Sequence, residues 1–124
     1  MSFEWRDFLI VAREFSNKNN DIRNEAYMRS AISRAYYGAF CTSRDKAGLT
    51  NYSPNTNGDI GVHEKVIKTY KDSSDKTEKL IGKNLDELRR KRNNADYHKY
   101  IGVMRDNAER AIEMAEEILQ NLVT

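Results

Sequence analysis

Apolar positions along this chain recur at helical spacing. Phe8, Val11, Ala12 and Phe15 follow i, i+3, i+4, i+7 and predict a first helix over residues 3–16. Ser2 suits its N-cap, and Glu4 and Asp7 suit the positive end of its dipole. The run Asn17 to Asn20 (NKNN) breaks the pattern. Residues 21–47 predict a long second helix, with Ile32, Tyr36 and Phe40 at i, i+4, i+8. Ala31, Ala35, Gly38 and Ala39 lie beside them, and side chains this small let a neighbouring helix approach closely. This helix is therefore expected at the centre of the packing, with Gly48 as its C-terminal stop. Residues 49–61 read as a loop punctuated by Pro54, Asn57-Gly58 and Gly61. A short third helix follows over 62–71, with Val62, Val66, Ile67 and Tyr70 on one face. The fourth is expected over 74–98, capped by Ser74 or by Asp75 with Glu78 in capping-box spacing. Beyond Gly102, residues 104–122 carry an unbroken apolar face from Met104 to Leu122. No segment alternates with the period of two of a strand. The expectation is an all-α, up-and-down bundle of four to five helices, forming a single domain over 1–124.

One position disturbs this pattern. With Ile81 at zero and about 100° per residue, Leu85, Leu88 and Ala95 fall within roughly 40° of it, and so does Arg92. A guanidinium does not lose its proton. It must reach water, pair with a carboxylate, or line a pocket or subunit interface. Asp96, four residues on, is placed to pair with it. Arg89 and Arg92 can thus form a structural network with Asp86 and Asp96. Lys83, Arg89, Arg90 and Lys91 are either a solvated face or an electrostatic approach for a nucleic-acid backbone.

Composition narrows the function classes. A net charge of +2 sets no global basic field, so any nucleic-acid binding must rest on a local patch. The single cysteine, Cys41, excludes an internal disulfide and a multi-cysteine metal site. No apolar run reaches membrane-spanning length, and MSFEWRDF lacks a signal-peptide design. A cytoplasmic location without membrane association is expected. There is no phosphate-binding glycine loop and no His-Glu-x-x-His, so neither metal nor cofactor is expected. His63, alone at the start of the third helix, reads as a surface or cap residue. Tyr36 and Tyr37 read as core residues with their hydroxyls at the rim, or with one of them on a ligand.

Arg92 with His98 is the remaining pair with chemistry. Arginine binds a phosphate bidentately, and histidine moves protons near neutrality. Together they suffice for metal-independent RNA cleavage by 2′-hydroxyl attack. Six residues on a straight helix turn His98 about 240° away from Arg92. The two can meet if the helix ends near Tyr97, or across a two-fold interface.

Three stretches stand in order along the chain: Ser30-Ala-Ile-Ser-Arg-Ala-Tyr-Tyr-Gly-Ala-Phe40, His63-Glu64-Lys65, and Leu88 to Tyr100 with Arg-x-x-Arg and Ala-Asp-Tyr. They resemble the Tyr-Tyr helix, the third helix and the Arg-x-x-Arg helix of the HEPN domain family. The resemblance implies a homodimeric, metal-independent endoribonuclease of toxin–antitoxin or phage-defence type. Arg92-Asn93-x4-His98-x-Tyr100 is similar to the catalytic pattern. It implies Arg92 and His98 as the catalytic pair, Asn93 positioning the phosphate, and Tyr100 supporting the histidine or touching RNA; Arg89 from the basic face is the further phosphate-binding candidate, and Asp96, by its spacing, the structural partner. The alternative it implies is a non-catalytic module binding a nucleotide, RNA or a nucleotidyltransferase. RNA, a second copy and an antitoxin or nucleotidyltransferase are the partners implied.

Overall fold

The computed structural model describes residues 3–18, 20–54, 59–98 and 104–123. The described residues form five helices and no strand: α1 (Asp7–Ser16), α2 (Asn24–Lys46), α3 (Val62–Lys71), α4 (Lys76–Tyr97) and α5 (Met104–Leu122). The chain is an all-α bundle. Helix α2 touches the other four, as its small residues require. Ala31, Ala35 and Ala39 are fully buried along it. At Gly38 an added Cβ would stand 3.3 Å from the Trp5 carbonyl oxygen, so the chain leading into α1 crosses α2 there in close contact.

The start of α1 departs from the expected range. The helix begins at Asp7, and Arg6 at the N-cap makes no side-chain cap. Phe3, Trp5 and Phe8 instead stack edge-to-face, with Phe3–Trp5 centroids 4.9 Å apart, and this clustering holds the chain outside the helix. Ser2, Asn57-Gly58 and Gly102 lie outside the described residues.

The other helix ends follow capping chemistry. Gly48 sits at φ 75°, with Leu49 N–H on Arg44 C=O and Gly48 N–H on Asp45 C=O. That is a Schellman closure, which needs the left-handed backbone that glycine supplies without strain. Asp75 caps α4 by accepting the Glu78 N–H at 3.0 Å. Glu78 does not complete the capping box directly. Its carboxylate accepts from the Ser73 hydroxyl at 2.6 Å, and that hydroxyl accepts the Asp75 N–H at 3.1 Å.

Cross-helix contacts set the directions. Tyr36 meets His63 and the Tyr70 hydroxyl donates to Ser43 C=O at 2.7 Å, so α3 runs along α2 in the same sense. Helix α4 runs back against both. At Gly82 an added Cβ would lie 2.6 Å from the Lys71 N, which marks the tight turn of α4 against the end of α3. The core is one cluster drawn from all five helices, with Met28, Ile32, Tyr36, Leu85, Leu88, Ile112, Met114 and Ile118 at its centre.

Candidate nucleic-acid site at the end of helix α4

Leu85, Leu88 and Ala95 are buried, and Arg92 shares their stripe with its side chain 17% exposed. Its charge is met on several sides. Nη1 donates to Asn93 Oδ1 at 3.0 Å, and Nε lies 2.8 Å from Asp96 Oδ2. The Nε–H is buried and not aimed at that oxygen, so the Asp96 contact is an ion pair without an aligned hydrogen bond. The guanidinium also sits over the Tyr37 ring at 5.1 Å and the Tyr97 ring at 5.9 Å. Tyr97 is 76% exposed, so an open aromatic face lies beside a nearly buried cation.

Arg89 occupies the next turn and faces the groove between α3 and α4. That groove, of about 370 Å3, is also lined by Lys68, Lys71 and Asp86. Asp86 takes Lys71 at 2.7 Å and Arg90 at 3.5 Å, not Arg89. Among the described residues Arg89 has no ion pair or hydrogen bond.

His63 is no simple surface or cap residue. Its Nδ1 is 2.6 Å from the Tyr36 hydroxyl, and its ring stacks on Phe40 at 4.2 Å and 15°. Burial pushes its pKa down to about 4, and the charges of Arg89 and Arg92 add to the fall. Burial also pushes the Tyr36 hydroxyl well above the usual tyrosine range, against a smaller opposing pull from Arg89. Near neutral pH the hydroxyl therefore keeps its proton and the imidazole is neutral, and the two share one hydrogen bond. Both groups sense the charges of Arg89 and Arg92, so α2, α3 and α4 meet in one cluster of aromatic rings and guanidinium groups.

His98 stands elsewhere in this arrangement. It is the C-cap of α4, with extended backbone at φ −100° and ψ 138°, and it is exposed. Its N–H donates to Asn94 C=O at 3.0 Å, and its C=O accepts from Arg29 Nη1 at 2.6 Å. The structure thus brings Arg92, Asn93 and Asp96 into one cluster and places Arg89 beside it. His98 follows at the end of the same helix, with no hydrogen bond or ion pair joining its ring to Arg92 among the described residues. Tyr100 lies outside the described residues. Sequence reasoning passed over Arg29 altogether, and gave His63 and Tyr37 no place beside Arg92. The guanidinium–aromatic stripe had a signal in the adjacent Tyr-Tyr pair of α2, but nothing local tied it to α4.

Chemically, the cluster holds a carboxylate-paired guanidinium, a second guanidinium one turn away without an ion pair or hydrogen bond among the described residues, and an exposed aromatic ring. Among the described residues no group of His, Cys, Asp or Glu could hold a metal ion. No helix is long and apolar enough to cross a membrane. Neither a curated protein nor a solved structure matches the chain. A family model for the HEPN domain matches residues 6–123, nearly the whole length. The all-helical architecture of the described residues fits that match, and the chain belongs to the HEPN domain family.

Proposed function

We propose that this protein is a metal-independent endoribonuclease that cuts RNA at a homodimer cleft with Arg92 and His98. HEPN domains serve as ribonucleases or as nucleotide-binding modules, so the choice rests on the residues. The observation that carries the reading is where α4 stops. The helix ends at Tyr97 and His98 turns into extended backbone. His98 still donates its N–H to Asn94 as a helical residue does, so within one chain its exposed imidazole stays turned from Arg92, and the catalytic pair is proposed to form between two copies across the two-fold cleft.

In the proposed reaction the substrate 2′-hydroxyl attacks the adjacent phosphorus and the P–O5′ bond breaks. One proton leaves the 2′-oxygen and one reaches the 5′-oxygen. The products are a 2′,3′-cyclic phosphate and a 5′-hydroxyl. Arg92 binds the phosphate oxygens and stabilises the charge that builds on them. His98 of one or both copies moves a proton. Asn93 holds the Arg92 guanidinium, and Arg89 takes a neighbouring phosphate. A toxin or phage-defence role in the cytoplasm, with an antitoxin or nucleotidyltransferase partner, follows from the family resemblance. Chain 1–124 acts as one domain in this reading.

The Asp96 pairing supports a second reading, a non-catalytic module that binds RNA or a nucleotide. A guanidinium already neutralised by a carboxylate binds phosphate less strongly, and among the described residues His98 is engaged through its backbone. The two readings part on a defined oligoribonucleotide and a copy with one 2′-deoxy position. Nuclease action gives a cyclic-phosphate end at the cut site and no cut where the 2′-hydroxyl is missing. Binding without products on either strand supports the module.

A further inference from the structure

Helix α4 carries no basic residue in its last turn. Its terminal carbonyls, which bear the negative end of the helix dipole, are left without the usual local cation. Arg29 supplies that cation from α2. Its Nη1 donates to Ala95 C=O at 2.7 Å and to His98 C=O at 2.6 Å. Its Nε is held 3.5 Å from Glu25, one turn earlier on the same helix, and the side chain is 19% exposed.

These two acceptors straddle the point where the chain leaves the helix. Ala95 is the last buried residue of α4, and His98 is the first residue with extended backbone. One nitrogen bonded to both carbonyls fixes the exit of the chain relative to α2. It thereby fixes the Cα–Cβ direction of His98. We propose that Arg29 is a positioning residue for His98: its bridge across the C-terminus of α4 holds the imidazole in the direction that the reaction needs. This rests on the endoribonuclease reading given above.

Arg29 acts through a backbone carbonyl and not on substrate, so its loss separates orientation from binding. Arg29→Met keeps the apolar stem and removes the donors. Arg29→Lys keeps one cation able to reach a carbonyl. In the full chain, Arg29→Met is expected to lower single-turnover RNA cleavage at least tenfold, with the Kd for RNA within about threefold of wild type. Arg29→Lys is expected to recover part of that rate. The His98 imidazole resonances should shift in Arg29→Met, and exchange of the His98 amide should speed up, while the His63 resonances stay in place.

Wild-type cleavage together with full cleavage by Arg29→Met overturns the positioning role and leaves the nuclease reading standing. If the wild-type protein does not cleave, the nuclease reading falls, and the resonances alone decide the bridge. Unmoved His98 signals overturn the bridge, and displaced ones support it. If Arg29→Met does not fold, Arg29→Lys carries the test: a rate equal to wild type with unmoved His98 signals shows that charge alone suffices and overturns the two-carbonyl bridge.

Discussion

Acid should destabilise this protein through His63, by an amount that the structure bounds. The ring stacks on Phe40, bonds to Tyr36 from α2, and feels Arg89 and Arg92 from α4. Its pKa falls from 6.5 to about 4, so the folded protein resists taking up the proton. The unfolded chain takes it up near pH 6.5. Stability is therefore full above about pH 6.5 and falls as the pH drops towards 4, since the unfolded state binds more protons in that window. The undiscounted shift corresponds to about 3 kcal/mol. The ring is only half-buried and solvent screens the two guanidinium charges, which reduces the expected loss to about 1–2 kcal/mol. Most of it is reached by pH 4.5. Urea unfolding of wild type and His63→Gln at pH 7.5, 6.0, 5.0 and 4.5 measures it. Carboxylates such as Asp86, held below their usual range first by the hydrogen bond from Lys71, titrate in both proteins and cancel in the difference. Wild type should be the more stable at pH 7.5, and its advantage should shrink by about 1–2 kcal/mol by pH 4.5. A constant advantage would refute the argument. So would one that grows in acid, because His63 would then carry its proton in the folded state.

The remaining predictions test the cluster and its supports. Inorganic phosphate or a short RNA bound at Arg89 and Arg92 should raise the His63 titration midpoint seen by NMR, by cancelling their charge; no movement at saturating ligand means binding occurs elsewhere. Asp96→Asn should lower stability by about 1 kcal/mol in urea unfolding, and it should tighten RNA binding at low salt by releasing Arg92 from its carboxylate. Gly82→Ala gains about 1 kcal/mol of helix propensity but forces a Cβ to 2.6 Å from the Lys71 N, so a net loss of about 1–2 kcal/mol is expected in the same assay. Asp75→Ala, which removes the cap on Glu78 N–H, should cost about 1 kcal/mol.

Features with a local cause could be read from the chain. The Arg92–Asp96 contact follows from four-residue spacing on one helix, and the Gly48 closure follows from glycine's tolerance of positive φ. The central place of α2 follows from its alanines. The surroundings of Arg92 could not be read in the same way. Tyr37 lies under its guanidinium because α2 packs on α4, and His63 joins them because α3 runs along α2. Arg29 reaches Ala95 across 66 residues, a relation that no periodicity encodes. The late start of α1 has a local setting instead, where Phe3 and Trp5 before the helix pack on Phe8 in its first turn.

Cleavage of RNA by the purified full chain in EDTA, compared with Arg92→Ala and His98→Ala, tests the central claim most directly. The account expects wild type to cut, leaving cyclic-phosphate ends, and expects both variants to remain folded and lose at least a hundredfold in rate. Undiminished cutting by His98→Ala, or no cutting by freshly purified dimeric wild type on several RNA pools, would contradict it.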